Sequence, residues 1–264
     1  MNFFEPVSFI FGLIVGSFLN VCIYRIPRNI SIINPSSSCP SCGTPIKPQD
    51  NIPLISYIIL KGRCRKCSGK ISMRYPLVEL LNGILYWSVL KYFGMGWHLL
   101  FLFAFVSAMI VIIFIDLEFQ LIPDVITIPG VVIGILGASL ILPDPFVYSS
   151  FYPFANIPIV GFVNSAAGML LGGGLFYLIA VVSKGGMGGG DIKMMAMVGA
   201  FMGWKAVLLT TFIGSLTGSL AGIFLMVFKG KGRKTKIPFG PFLSFGAIIT
   251  LFSGGSILRW YLNM

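Results

Sequence analysis

The sequence predicts an all-α polytopic membrane protein with about eight transmembrane helices and one small cytoplasmic loop domain. Two observations support this fold class. Of the 264 residues, 56% are hydrophobic and only 10% are charged, whereas a soluble domain carries about 25% charged residues. The mean hydropathy is +0.92, and long apolar runs recur along the whole chain, as in membrane-spanning helices. This composition excludes a disordered chain, a secreted module held by disulfides and a coiled coil.

Eight apolar runs have, or nearly have, the length needed to cross a hydrocarbon core of about 30 Å. They lie at about residues 6–26, 77–93, 97–116, 122–142, 159–182, 191–203, 205–228 and 239–262. The sixth run is the shortest of the eight. The first run lacks the basic flank and the small-residue cleavage site of a signal peptide, so we expect it to be retained as a helix.

The basic residues predict how these helices are oriented. With the N-terminus outside, the predicted inner segments 25–76, 117–121, 183–193 and 229–238 contain 16 of the 19 Lys and Arg residues. Cytoplasmic loops carry such an excess of Lys and Arg. We therefore expect both termini on the outer side of the cytoplasmic (inner) membrane. The net charge of +11 then reflects orientation and contact with membrane lipid rather than with nucleic acid. Segment 143–158, which has no basic residue, is the expected outer loop.

The long inner segment contains a candidate metal site. The topology divides the chain into a first transmembrane helix (1–26), a cytoplasmic loop (27–76) and a seven-helix membrane core (77–264). Four cysteines lie in the loop as two Cys-x-x-Cys pairs, with 21 residues between the pairs: Cys39, Cys42, Cys64 and Cys67. This spacing is typical of a closed, structural four-thiolate zinc site. Two disulfides or free thiols are the alternatives, and disulfides are rare in the cytoplasm.

Two carboxylates are candidate catalytic residues. Asp116 ends the third apolar run and Asp191 opens the sixth, so the topology places both at the cytoplasmic membrane face. Two neighbouring carboxylates can share one proton and perform the acid–base chemistry of aspartic proteases. Each residue also has a plainer interpretation: Asp116 as a helix-end residue that reaches the interface, and Asp191 as an N-cap.

Three glycines precede the second carboxylate. Gly188, Gly189 and Gly190 are either a flexible loop or a stretch of backbone that a substrate strand can approach closely. Glu79 and Asp124 are interpreted as structural residues, the latter at a helix start. The single histidine, His98, is predicted on the outer side, so a histidine-based zinc hydrolase and a serine triad have little support.

Several short motifs follow one another along nearly the whole chain. They are Gly16–Val21 with Arg25 and Pro27, Cys39–Cys42, Asp50–Pro53 with Ser56 and Tyr57, Cys64–Cys67, Arg74–Glu79, Asp116 with Leu121–Asp124, Gly186–Lys193 and Pro238–Phe242. Through these motifs the sequence resembles the bacterial type IV prepilin leader peptidase family. The single motifs are weak signals, whereas their joint occurrence is specific.

The resemblance implies an eight-helix inner-membrane aspartic endopeptidase in which Asp116 and Asp191 carry the chemistry. Substrates of the family are prepilins and pseudopilins, whose short basic leader ends in Gly and precedes an apolar helix. Many members also methylate the new N-terminus with S-adenosylmethionine, and the four-cysteine loop accompanies those longer forms. The methyl-donor residues, the oligomeric state and the choice among pilus, competence and secretion substrates stay open.

Three other functions compete with this interpretation. A transporter with Asp116 and Asp191 as ion sites would more often hold them near the bilayer middle. A non-enzymatic assembly scaffold would not need the acid pair. A methyltransferase without peptidase activity has no support from a soluble fold for S-adenosylmethionine, because no G-x-G-x-x-G motif opens a βαβ unit.

Overall fold

The computed structural model describes residues 3–147, 158–184, 186–229 and 238–262. The helices in these ranges are α1 (Phe4–Arg25), α2 (Ile55–Ile59), α3 (Arg74–Phe93), α4 (His98–Phe119), α5 (Asp124–Leu140), α6 (Phe162–Val182), α7 (Gly189–Met202), α8 (Trp204–Lys229) and α9 (Gly240–Leu262). Within these ranges there is no β-strand, and three isolated β-bridges are the only β pairing. Most of the predicted outer loop and of the basic inner segment 229–238 lies outside the described residues.

The all-helical membrane fold is confirmed, since each of the eight apolar runs coincides with one helix. Five of them, α1, α4, α6, α8 and α9, are long and apolar enough to cross a membrane. Helix α5 is apolar but shorter. Helix α7 has 14 residues, so it is only about 21 Å long at 1.5 Å per residue. The count of eight spans therefore stays a prediction.

The chain divides into two compact units, residues 1–94 and residues 95–264. In the N-terminal unit, α1 and α3 pack closely through glycine. A Cβ atom on Gly16 would lie 2.7 Å from the Cα of Glu79, so only glycine fits there. The amide of Asn82 donates to the Gly12 carbonyl at 2.7 Å. Small residues and interhelical hydrogen bonds of this kind hold helices together in lipid.

In the C-terminal unit, α4 and α7 form the centre and α8 is largely exposed. Helix α4 is buried over much of its surface, with Val106, Met109 and Ile112 fully inaccessible. Helices α6 and α7 touch backbone to backbone, because a Cβ on Gly199 would collide with the carbonyl of Gly168. The exposed surface of α8 is apolar, as expected of a helix that contacts lipid.

Candidate active site

Asp116 lies in the last turn of α4 and is 6% exposed. The helix ends just beyond it, where Gln120 adopts the left-handed conformation (φ 53°) and its N–H donates to the Asp116 carbonyl at 2.9 Å. The Asp116 side chain accepts a buried hydrogen bond from the backbone N–H of Gly240, with 3.0 Å between that nitrogen and Oδ2. Gly240 is the first residue of α9. The carboxylate of α4 thus lies at the N-terminus of α9, where helices favour negative charge.

Asp191 is the third residue of α7. Its N–H donates to the carbonyl of Gly188 at 3.1 Å, and Gly188, the N-cap residue before the helix, is extended (φ −74°, ψ 143°). The Oδ1 atom of Asp191 is buried and has no hydrogen-bond partner among the described residues. A buried carboxylate oxygen without a partner is costly. Such an atom is a candidate for direct contact with substrate or with a reacting water.

The two predicted carboxylates come together in the C-terminal unit. Asp116 and Asp191 are close enough for their carboxylates to interact electrostatically. Ile122, which is 6% exposed, packs between the helix starts that flank them. A Cβ on Gly190 would lie 2.7 Å from the Ile122 Cβ, and a Cβ on Gly240 would lie 3.1 Å from its Cδ1. The end of α4 and the starts of α7 and α9 therefore meet around one side chain.

The three glycines before Asp191 have different surroundings. A Cβ on Gly189 would meet nothing within 4 Å, and a Cβ on Gly188 would lie 3.3 Å from Asp191 Oδ2. Both residues are exposed, so a stretch of open backbone lies beside the carboxylate. Gly190 instead packs against Ile122. The first two glycines suit approach by a substrate strand, whereas the third is needed for packing.

The four loop cysteines form one cluster in the N-terminal unit. Their sulfur atoms all lie within 4.8 Å of one another. Each pair sits on a tight hydrogen-bonded turn: the Gly43 N–H donates to the Cys39 carbonyl at 2.8 Å, and the Ser68 N–H donates to that of Cys64 at 2.9 Å. Two such turns, each presenting two sulfurs, can hold a metal ion.

The cluster has the dimensions of a metal site rather than of a disulfide. The sulfurs of Cys39 and Cys67 are 3.9 Å apart, and all four cysteines are free. A disulfide needs about 2.05 Å, whereas four sulfurs at about 2.3 Å from zinc lie about 3.8 Å apart in a tetrahedron. Hydrogen bonds with Thr44, first its side chain and then its backbone, lower the pKa of Cys42 to about 6. The pKa of Cys67 in the same cluster is raised to about 11, so the four thiols do not titrate independently.

Two contacts made by side chains restrain other parts of the loop. The Arg65 guanidinium donates to both oxygens of Asp50, with 2.6 Å to Oδ1, and this ion pair lowers the pKa of Asp50. Glu79, 8% exposed on α3, accepts the N–H of Leu54 at 2.9 Å. Leu54 has a positive φ of 58°. The sequence interpretation of Glu79 as a structural residue fits this contact.

Comparison with known proteins gives consistent matches along the chain. Residues 10–93 match the bacterial peptidase A24 N-terminal domain, and residues 103–223 match the type IV leader peptidase family. The prepilin leader peptidase/N-methyltransferase of Aeromonas hydrophila is 34% identical over 97% of this chain and 92% of its own length. The proteins of the same name from Legionella pneumophila and Bacillus subtilis (strain 168) are also 34% identical, over 96% and 98% of this chain and 93% and 98% of their own lengths.

The chain belongs to the type IV leader peptidase family. It is therefore a peptidase and a multi-pass protein of the inner membrane, as the resemblance predicted. The family match includes the positions of both Asp116 and Asp191. Membership favours a peptidase over the transporter and scaffold alternatives. The chain has no significant match among solved structures.

Three contacts of the candidate site were not found by sequence reasoning. The Gly240 N–H holds Asp116, Ile122 joins the helix starts, and the Lys193 ammonium pairs with Asp124 at 2.6 Å. The motif around Gly240 was recognised as part of the family pattern but was given no role. A glycine two residues after one proline and directly before another was the available signal, because it marks a helix start where bulk is excluded.

Proposed function

We propose that this chain removes the short leader of type IV prepilins and pseudopilins by cutting after Gly, with Asp116 and Asp191 as its catalytic residues. The observation that carries the proposal is that the end of α4 and the starts of α7 and α9 meet around Ile122, which brings these two carboxylates within electrostatic range of each other. Coupled carboxylates share one proton. Family membership supplies the substrate class, since the relatives are named prepilin leader peptidases.

The chemistry that we propose uses both protonation states of the pair. The ionised carboxylate removes a proton from water, the water oxygen bonds to the scissile carbonyl carbon, and the second carboxyl group gives its proton to the carbonyl oxygen. The first carboxyl group then gives its proton to the amide nitrogen, and the C–N bond breaks. The hydroxyl proton of the intermediate returns to the second carboxylate. Atoms and charges balance, and the pair ends as it began.

We propose that the scissile peptide bond reaches the two carboxylates along the exposed backbone of Gly188 and Gly189. Glycine carries no side chain, and among the described residues an added Cβ would meet only Asp191 Oδ2 and the Gly190 nitrogen at Gly188 and nothing at Gly189. The apolar substrate helix would reach the enzyme from the lipid, while the cut bond must be unwound to expose its carbonyl. The exposed glycines give such an extended strand room beside the carboxylate.

We propose that the active site faces the cytoplasm, because Lys and Arg are concentrated in the predicted inner segments. The excess of Lys and Arg in the predicted inner segments supports a cytoplasmic position for the cysteine loop and for both aspartates, with the two termini outside. The basic loop also suits contact with anionic lipid headgroups. The leader of a prepilin is itself basic, so we propose that recognition depends on the apolar helix and the Gly at the cut rather than on leader charge.

For the cysteine cluster we propose one Zn2+ ion bound by Cys39, Cys42, Cys64 and Cys67. Four thiolates leave no open coordination position, so the ion is structural. The loop is too small to bury a large core, so a metal ion that joins its two turns is a reasonable source of stability. Zinc binding would then supply much of the folding energy of this segment.

Methylation of the new N-terminus, with S-adenosylmethionine as donor, is proposed from the names of the relatives. A groove of about 730 Å³ along α1 has the volume of a small-molecule site. Its lining is mostly apolar, with Ile10, Ile14 and Phe18 along α1, and it contains no carboxylate. It does not suit a cationic donor, and we do not assign the donor to it.

The test is incubation of the purified full-length protein in liposomes with a prepilin and S-adenosylmethionine, followed by mass spectrometry. We expect a new N-terminus directly after the leader Gly and the addition of one methyl group. A matched prepilin with Val in place of that Gly should remain uncut. If the wild-type prepilin stays intact after prolonged incubation, the peptidase proposal is contradicted. Cleavage without addition of a methyl group would contradict only the methylation proposal.

A further inference from the structure

The start of α9 has one backbone N–H group that its own helix does not use. The first N–H groups of a helix have no partner within the helix. Here Pro241 has no N–H at all, and the N–H groups of Phe242 and Leu243 both donate to the Phe239 carbonyl at 3.1 Å. The remaining N–H of the turn, that of Gly240, donates to Oδ2 of Asp116. Among residues 240–243 the N–H of Gly240 is therefore the one that makes no bond to the Phe239 carbonyl, and Asp116 accepts it.

Position 240 has no room for a side chain. A Cβ atom there would lie 2.7 Å from Asp116 Oδ2 and 3.2 Å from Asp116 Cγ. Contacts below 3.0 Å do not persist, so either the Asp116 carboxylate or the start of α9 would have to move. The φ of Gly240 is not in the left-handed region, so backbone conformation does not explain the glycine. Close contact with the carboxylate explains it.

We infer that Gly240 is a positioning residue of the peptidase reaction: its N–H fixes Oδ2 of Asp116 and leaves Oδ1 to take the proton of the attacking water. This inference rests on the proposed function. An N–H donor interacts more strongly with an ionised than with a neutral carboxyl group, so the bond also favours Asp116 as the ionised member of the pair. Asp191, whose Oδ1 has no partner in the described structure, then holds the shared proton.

The test compares Gly240→Ala with Gly174→Ala in the full-length protein. Gly174, on α6, has nothing within 4 Å of an added Cβ, so it controls for the effect of the extra methyl group. Displacement of a catalytic group by about 1 Å costs about 100-fold in rate. We therefore expect kcat of Gly240→Ala to fall about 100-fold, with KM within about threefold of wild type. Wild-type kcat in Gly240→Ala would overturn the inference.

A second-site variant separates positioning from packing. The added methyl group would also crowd Ile122 Cδ1, at 3.1 Å, and Ile122→Val removes that atom. The double variant Gly240→Ala with Ile122→Val is compared with Ile122→Val alone. If displacement of Asp116 causes the defect, the double variant keeps the loss of kcat, about 100-fold relative to Ile122→Val alone. Recovery of kcat in the double variant would show that crowding of Ile122 was the cause, and the inference would be wrong.

A third variant avoids added bulk altogether. Replacing the amide of residue 240 by an ester, with glycolic acid in place of glycine, removes the N–H and adds no atom beyond the ester oxygen. Loss of a donor to an oxygen on which charge develops costs about 100- to 1,000-fold in kcat; because Oδ2 does not itself react, we expect a smaller fall here, of at least about tenfold. Unchanged kcat would overturn the inference even if Gly240→Ala fails to fold.

The same assay contains Asp116→Asn and Asp191→Asn. If either of these variants cuts the prepilin at the wild-type rate, the proposed function itself is wrong. If both are inactive while the Gly240 variants cut normally, the proposed function stands and only the positioning role of Gly240 is refuted. Elution of each variant as a single species in detergent confirms that the compared proteins are folded.

Discussion

The ammonium nitrogen of Lys193 lies 2.6 Å from Oδ2 of Asp124, and this ion pair joins the N-terminal part of α7 to the first turn of α5. Lys193 follows Asp191 by two residues, so the pair restrains the helix start that carries a proposed catalytic group. Both side chains are about half exposed. An exposed ion pair contributes little to stability, and its effect here should be on the position of α7.

Lys193→Met is expected to lower prepilin cleavage more than it lowers stability. Exposed pairs contribute about 0–1 kcal/mol, so the melting temperature in detergent should change by a few degrees at most. Cleavage should fall by up to about tenfold, because small misplacements of reacting groups reduce rate steeply. The measurement is kcat alongside thermal unfolding of the same sample.

Exchange of the two charges is the control for that variant. Lys193→Asp combined with Asp124→Lys rebuilds the pair in reverse and should recover most of the lost kcat. If the exchanged protein is no better than Lys193→Met, the ion pair does not position α7, and the loss has another origin.

Close contact between α6 and α7 gives a prediction about packing. The backbones of Gly168 and Gly199 touch, so Gly199→Ala must push the helices apart. Overpacking of this kind costs about 1–3 kcal/mol. We expect a lower melting temperature and reduced cleavage, because Asp191 lies on α7. Gly174→Ala, on the open face of α6, should change neither quantity, and equal effects of both variants would contradict the packing account.

Removal of the metal is predicted to unfold the cysteine loop. Cys64→Ser should abolish zinc binding, measured by elemental analysis of the purified protein. It should also expose residues 36–71 to limited proteolysis, since structural zinc supplies about 10–16 kcal/mol to small domains. Cys22→Ala, on α1 and outside the cluster, should keep a full equivalent of zinc. Zinc retained by Cys64→Ser, or lost from Cys22→Ala, would show that these four sulfurs are not the ligands.

Glu79 provides a test of a structural carboxylate. Glu79→Ala leaves the partly buried Leu54 N–H without its acceptor, and loss of a hydrogen bond of this kind costs about 1 kcal/mol. Glu79→Gln keeps an acceptor oxygen and should unfold near the wild-type temperature. If Gln destabilises the protein as much as Ala does, the negative charge of Glu79 matters, and the hydrogen bond alone does not explain its role.

The sequence was sufficient for features that depend on local spacing. The apolar runs predicted the helices, because length and hydropathy are read along one segment. The separation of Cys39–Cys42 from Cys64–Cys67 predicted a single cluster, because each pair closes its own turn and zinc geometry supplies the rest. The topology predicted from the apolar runs and the basic residues placed Asp116 and Asp191 at one membrane face, and the family motifs then implied that the two act together.

The remaining contacts depend on where distant segments meet. Gly240 is 124 residues from Asp116, and no periodicity relates a backbone N–H to a side chain at that distance. The Lys193–Asp124 pair was missed because Asp124 was interpreted only as a helix-start residue. Its local role holds, since Asp124 begins α5, and its partner on α7 became visible only in the folded chain.

Cleavage of a prepilin by Asp116→Asn and Asp191→Asn tests the central claim most directly. Asp144→Asn is the matched control, because Asp144 lies in a loop and accepts a hydrogen bond from the Phe146 N–H, which asparagine can also accept. We predict that Asp144→Asn cuts the prepilin as the wild-type protein does and that both site variants release no leader peptide. Leader release at the wild-type rate by either site variant would contradict an aspartate pair as the catalytic centre.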